Sequence, residues 1–318
     1  MADRRTLLRT LFALAFAAVA IWFVRAQWTP LAETVRGVRP RWETLALASL
    51  AVVAGYAVLV QGWRALVQAW GDRLGVLDAT RIWFVSSLGK YVPGKVVAIG
   101  AMAVLAKERG VSAVAATGSA VVMQLANIAA GFALVAAVGT GDLFAAQPAL
   151  RAAAWGVLVA TLVAIAVGPA LLGRTFALAG RVVGRALPSP ARLGRATLAA
   201  VVAANAAAWV AYGVGYHLFA QSILGRPIGT LATSTAVWAA SYLVGYLTLV
   251  APGGLGAREA ALVALSSALG LATPAEGAVL AAGSRLWLTA LEIVPGLAFL
   301  PGTAWRRSTT RPPDGPTP

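Results

Sequence analysis

The sequence contains no cysteine and a single histidine, His217. The first absence excludes disulfide frameworks, thiolate metal sites and a cysteine nucleophile; the second leaves no histidine cluster for a metal or for catalysis. Acid is scarce as well, since 11 Asp and Glu stand against 26 Lys and Arg, a formal charge of +15 in 318 residues. Only 12 % of the residues are charged while 59 % are hydrophobic, and the mean hydropathy is +0.78. Soluble domains do not have this composition, so the chain reads as an all-α polytopic membrane protein. Its basic residues fall between apolar runs and at the C-terminus, the pattern of orientation signals and headgroup contacts, and no soluble basic module suited to nucleic acid stands out. We expect no cofactor, no metal and no nucleic-acid partner; the expected partners are membrane lipids and an anionic or lipid-linked substrate. Composition leaves the oligomeric state open.

An apolar run at 11–24 follows Arg4, Arg5 and Arg9 and ends in Trp22, Phe23 and Val24, where a signal peptide would place small residues, so an uncleaved first span is expected. With about 20 residues per crossing, full spans are predicted near 7–26, 44–63, 112–138, 150–172, 197–222 and 276–301. Two further apolar regions, 82–106 and 232–271, are interrupted by Pro93-Gly94 and by Pro252-Gly253-Gly254, which remove helical donors and stop a smooth helix. The pieces beside the first break are each about half a membrane long, so a re-entrant helical hairpin is predicted for both regions. That choice gathers the positive charge on one side: the N-terminus, 64–81, Lys107 with Arg109, the loop holding Arg174, Arg181, Arg185, Arg192 and Arg195, and the tail with Arg306, Arg307 and Arg311. Both termini are then cytoplasmic, in a multi-pass protein of the inner or plasma membrane. The loop 25–43, with Arg25, Arg36, Arg39 and Arg41, runs against the rule. The order span, span, hairpin, span occurs twice with opposite orientation. It divides the chain into a first repeat at 1–138, an inverted second repeat at 139–304 and a basic, proline-rich tail at 305–318, expected to be disordered.

The residues with chemistry cluster at the breaks and in the last span. Lys90 and Lys95 flank the first break together with Tyr91, Pro93 and Gly94. An ammonium at membrane depth costs about 2.5–3.5 kcal/mol on insertion scales, so each lysine needs either a snorkelling route to the headgroups or an anionic ligand such as a lipid phosphate. Beyond Pro252, Gly253 and Gly254, Arg258 and Glu259 open a helix. One reading caps that helix with Glu259 and lets Arg258 snorkel outward; the other makes Arg258 an anion ligand and Glu259 its orienting partner. Arg285 and Glu292 lie two turns apart on nearly one face of the last span, where charge is least tolerated, as a structural ion pair or as part of a substrate or proton pathway. Gln124 and Asn127 share a face of their span and are expected to make interhelical hydrogen bonds. The tryptophans, among them Trp28, Trp42, Trp70 and Trp305, read as interface anchors. Asp72 and Asp78 are the acidic cluster an interfacial enzyme would use. His217 is given no role.

Three stretches, GKYVPGKV, PGGLGARE and SRLWLTALE, resemble motifs of the flippase-like membrane family related to the transmembrane region of bacterial lysylphosphatidylglycerol synthases, over about 80–306. The resemblance implies movement of lipids or lipid-linked groups between leaflets. Tyr91, Pro93, Gly94, Lys95, Pro252, Gly253, Gly254, Arg258, Glu259 and Arg285 match its motif positions. The chain departs from it at Met123-Gln124, where relatives often carry a Glu-Arg pair. The short stretch after the last span leads us to expect no lysyl-transferring synthase domain. The function expected is a lipid translocator for a phospholipid or polyprenyl-phosphate-linked headgroup, not an enzyme. The alternative is a membrane-embedded enzyme or accessory protein acting on lipid-linked sugars in cell-envelope assembly.

Overall fold

The computed structural model describes residues 39–91, 96–139, 144, 148–184, 193–248, 254 and 256–300. The first expected span and the C-terminal tail lie outside them. Nine α-helices form in the described part: α1 (Trp42–Ala69), α2 (Val76–Ser87), α3 (Val96–Lys107), α4 (Ala113–Val138), α5 (Pro148–Val183), α6 (Arg195–Leu224), α7 (Leu231–Leu247), α8 (Ala257–Ala268) and α9 (Pro274–Ala298). A 3-10 turn, Leu88–Tyr91, extends α2. Five of the helices, α1, α4, α5, α6 and α9, are long and apolar enough to cross a membrane. They coincide with the five predicted spans between 44 and 301.

Local chemistry sets several of the boundaries. Ser112 caps α4 by accepting from Ala115 N–H, and Thr273 caps α9 with Glu276 returning the bond to Thr273 N–H; each satisfies donors that the first turn leaves free. Both short helices α3 and α8 end in the same glycine cap. Gly110 and Gly270 take positive φ values of 82° and 62°, while Val111 N–H reaches Ala106 O at 3.1 Å and Leu271 N–H reaches Ser266 O at 2.9 Å. Pro169 sits inside α5, and Arg195 Nε bonds Ala166 O at 2.9 Å beside that break.

Helices α1 and α6 form the most extensive pairing in the bundle. Gly55 packs against Tyr212 and the carbonyl of Ala208, and Gly215 packs against Val52 and the carbonyl of Ala48. The later residue of each pair falls on the earlier residue of the other as the sequence numbers rise, so the two helices run antiparallel. One constant shift in numbering turns the first set of contacts into the second. The two glycines allow the backbones to approach where a side chain would hold them apart. We therefore expect Gly55→Val and Gly215→Val to destabilise the protein by similar amounts, about 1–3 kcal/mol each, read as matching falls in the thermal midpoint of the detergent-solubilised protein.

The short helices pair in the same way in each half. α2 packs on α3, with Gly89 close to the backbone of Ala98, and α7 packs on α8, with Gly245 close to Arg258. The arms are unequal: the 12 residues of α2 span about 18 Å and the 17 residues of α7 about 25 Å. The helices on either side of each predicted break thus pack against each other. The contacts between halves are also reciprocal, since α4 packs on α7 and α9 packs on α2.

Two expectations change here. Trp70 is 9 % exposed and covers Gly118 on α4, where a side chain on that residue would collide with the indole. It is a packing residue of the core, unlike Trp42, which is 72 % exposed as an interface anchor would be. Asp72 and Asp78 are also engaged: Asp72 accepts from Ser112 N–H at 3.0 Å and Asp78 pairs with Arg109 at 3.0 Å. Both tie the base of the first helical pair to α4.

Candidate functional site

Among the described residues, the buried charged side chains, Arg258, Arg285 and Glu292, come from α8 and α9. Gly254, with φ +69°, and Gly256, with φ +80°, turn the chain into α8. A side chain on Gly254 would run into the carbonyl of Gly245, so the end of α7 and the entry to α8 are held at backbone contact. This contact fixes where Arg258 and Glu259 begin, and neighbouring helix positions then send the two side chains in different directions.

Arg258 turns inward. It is 5 % exposed, and its guanidinium lies 4.4 Å from the centre of the Trp238 ring and 4.8 Å from that of Tyr242. Its one hydrogen bond is long, 3.5 Å from Nη2 to Ser284 Oγ. The snorkelling reading is therefore corrected: the aromatic faces of α7 attract the cation into the bundle. Among the described residues it makes no ion pair.

Glu259 serves two partners. Its Oε2 accepts from Gly256 N–H at 2.8 Å, capping α8, and its Oε1 accepts from Arg285 Nη1 at 3.1 Å. The partner Glu259 orients is thus Arg285 of α9, where the sequence had suggested Arg258. Glu292, one face further along α9 and 7 % exposed, accepts a 2.7 Å hydrogen bond from the hydroxyl of Tyr56 on α1. Tyr56 packs its ring edge-on against Phe84 of α2 and Tyr212 of α6. One tyrosine therefore touches the first helical pair, the central scaffold and the charged cluster. Arg285, Glu259 and Glu292 all lie within electrostatic reach of Arg258.

Of the residues proposed from the sequence, Arg258, Glu259, Arg285 and Glu292 come together in this cluster, with Gly254 shaping its entrance. Lys90 and Tyr91 complete the 3-10 turn after α2, but their side chains lie outside the described residues, as do Pro93, Gly94, Lys95, Pro252 and Gly253. Asn127 does bond between helices, giving Nδ2–H to Asn205 Oδ1 at 3.2 Å and accepting from Trp209 Nε1 at 2.9 Å through its carbonyl. Sequence reasoning missed Tyr56, Trp238 and Tyr242. An aromatic residue within an apolar span carries no pattern that separates core packing from a role beside a charge. An open apolar groove of about 430 Å³ between α1 and α6, lined by Ala57, Gln61, Ala65, Thr197 and Ala204 among others, carries no charge.

The charges are unequally divided. The shift that exchanges Gly55 with Gly215 also brings Ala98, the neighbour of Gly89, onto Arg258, the neighbour of Gly245. Ile99 then takes the place of Glu259. Allowing the one extra residue before Thr273, the counterpart of Ser112, Gln124 and Gly131 take the places of Arg285 and Glu292. The four charged positions of one half are neutral in the other.

A family model, that of the lysylphosphatidylglycerol synthase TM region, matches residues 10–296. No curated protein and no solved structure matches the chain. The family is one of membrane proteins concerned with lipids, in keeping with five helices fit to cross a bilayer and a charged cluster enclosed among them. By a match over most of its length, the chain belongs to the family of the lysylphosphatidylglycerol synthase transmembrane region.

Proposed function

We propose that the protein is a lipid translocator of the inner or plasma membrane, which passes the headgroup of a phospholipid or polyprenyl-phosphate-linked lipid between leaflets and is not an enzyme. Arg258 is the observation that carries this reading. A buried guanidinium held by two aromatic rings and one long hydrogen bond keeps most of its five donors for another acceptor. The acceptor a membrane offers is a lipid phosphate, which takes guanidinium hydrogen bonds in pairs. Glu259 and Tyr56 keep Arg285 and Glu292 in fixed positions around it. In this reading Lys90, Tyr91, Pro93, Gly94, Lys95, Pro252 and Gly253, singled out in the sequence, also belong to the substrate-binding set.

The architecture in this reading is an inverted repeat of six spans and two re-entrant hairpins, with both termini cytoplasmic. It is supported by the antiparallel α1 and α6, the mirrored glycine contacts, the matching caps at Gly110 and Gly270, and the reciprocal packing of α4 on α7 and α9 on α2. Repeats of opposite orientation with broken helices around a central site are a common basis for alternating access. The enzyme alternative loses its acidic cluster, because Asp72 and Asp78 are committed to Ser112 and Arg109.

The test is leaflet exchange in liposomes holding the purified protein, with fluorescent phosphatidylglycerol and a labelled polyprenyl-phosphate sugar. Wild type is expected to speed exchange of one of them, and Arg258→Ala to slow it by about 10–100-fold, the worth of one or two charge-assisted hydrogen bonds. Exchange no faster than in empty liposomes for both lipids, or equal exchange in the folded variant, overturns the proposal.

A further inference from the structure

We infer that the gate to this site is a polar seam between α6, α7 and α8, which parts to admit water to Arg258 from the end of the bundle carrying Arg226 and Glu276. Its purpose rests on the translocator reading; its observations do not. Five buried side-chain polar atoms among the described residues have no hydrogen-bond partner, and four of them lie here: Tyr216 Oη on α6, Trp238 Nε1 on α7, and Ser266 Oγ and Ser267 Oγ on α8. Tyr216 and Ser266 are fully buried and Trp238 is 1 % exposed. The Tyr216 hydroxyl lies beside that of Ser266, yet the pair does not reach hydrogen-bond geometry.

These groups form a line. Ser266 and Ser267 occupy the last turn of α8, next to the Gly270 cap. Tyr216 follows, stacked on Trp238 at 4.7 Å, and the Trp238 ring carries the Arg258 guanidinium at 4.4 Å. The outer end of the line is where α7 and α9 begin, bridged by Arg226, which grips both carboxylate oxygens of Glu276 at 2.8 and 2.9 Å.

An enclosed polar atom without a partner has given up its bonds to water and received none in return. The closed seam carries this penalty most fully at Trp238 Nε1 and Ser267 Oγ, with the Tyr216 and Ser266 hydroxyls facing only each other, and all four recover hydration as the helices part. The apolar face of α8, by contrast, sits one turn deeper at Leu262, which is 1 % exposed, and separating it would expose hydrocarbon. The last turn of α8 is therefore the part that yields first, and it yields along the line that ends at Arg258. The Arg226 and Glu276 pair, exposed and straddling the mouth, limits how far it opens.

Because the chain has no cysteine, single thiols report on this directly. Ser266→Cys and Ser267→Cys, which change little but the chalcogen, are made alongside Ala232→Cys, at an exposed position at the mouth, and Leu262→Cys in the apolar face. Membrane-embedded protein is treated with a charged methanethiosulfonate reagent. The two serine positions are expected to react, and Leu262→Cys to react about 100-fold more slowly, since dry burial that raises a thiol pKa by ~2 units removes that fraction of the thiolate. If both serine positions are as slow as Leu262→Cys while Ala232→Cys reacts, or if Leu262→Cys reacts as fast as they do, the seam is not the gate. Running the lipid-exchange assay on the wild type beside the labelling separates the two proposals: serine-position thiols that react while the wild type speeds exchange of neither lipid leave the seam standing and remove the translocator reading.

Discussion

Replacing Gly245 with valine will force apart the two arms of the second helical pair and, with them, the charged cluster. A Cβ at this position would stand 2.6 Å from the Cβ of Arg258 and 3.4 Å from its Cα. Backbone sets the far side of the contact, because Gly254 lies against the Gly245 carbonyl. Neither neighbour is the far end of a flexible side chain, so no rotamer change relieves the overlap. The cost belongs at the upper end of the overpacking range, about 3 kcal/mol, and is read as a lower thermal midpoint. Lipid exchange should fall with it, because the overlap falls on the residue that would hold the phosphate. Gly156→Val is the matched control: that glycine lies within α5 and has open space around it, so only the small helix-propensity difference between glycine and valine is at stake. If Gly245→Val behaves like Gly156→Val, the close approach of α7 to α8 is wrong.

The second large effect concerns Glu259 and Arg285. Glu259→Leu leaves the Arg285 guanidinium, 11 % exposed at its side chain, without the carboxylate 3.1 Å away, and also removes the cap on Gly256 N–H. Breaking a buried pair from one side costs about 3–5 kcal/mol. The Glu259 side chain is 23 % exposed, so water screens part of this, and about 2–3 kcal/mol is expected. Adding Arg285→Leu should then restore stability in part, since a buried guanidinium that has lost a carboxylate costs more than two apolar side chains in place of the pair. Exchange activity should not return in the double variant. A double variant that regains both would reduce the pair to scaffolding, and one less stable than the single variant would overturn the strain argument.

The sequence alone located the five described spans, because length and hydropathy determine them. It singled out Arg258, Glu259, Arg285 and Glu292, which the structure brings near one another, for one reason: charge within an apolar segment is expensive enough to stand out. It did not disclose who pairs with whom. Glu259 chose between Arg258 and Arg285 by the direction in which α8 leaves Gly256, a tertiary property. Tyr56 and Trp238 were hidden because aromatic residues are ordinary in apolar helices, and Gly245 because nothing around it in SYLVGYLTLV marks a contact with Arg258. The antiparallel pairing of α1 and α6 was not foreseen, because the residues that make it, Gly55 and Gly215, carry no local signal.

In the translocator reading, the uneven distribution of charge between the two halves has a consequence for the cycle. A chain of two identical halves related by an axis in the membrane plane would face either compartment with equal free energy, and thermal motion alone would divide its time evenly. Here Arg258, Glu259, Arg285 and Glu292 belong to one half, opposite Ala98, Ile99, Gln124 and Gly131 in the other. That degeneracy is lifted. On that reading, which way the empty protein rests is an inherited bias of the sequence, adjustable by moving charges from one half to the other while the helices stay where they are.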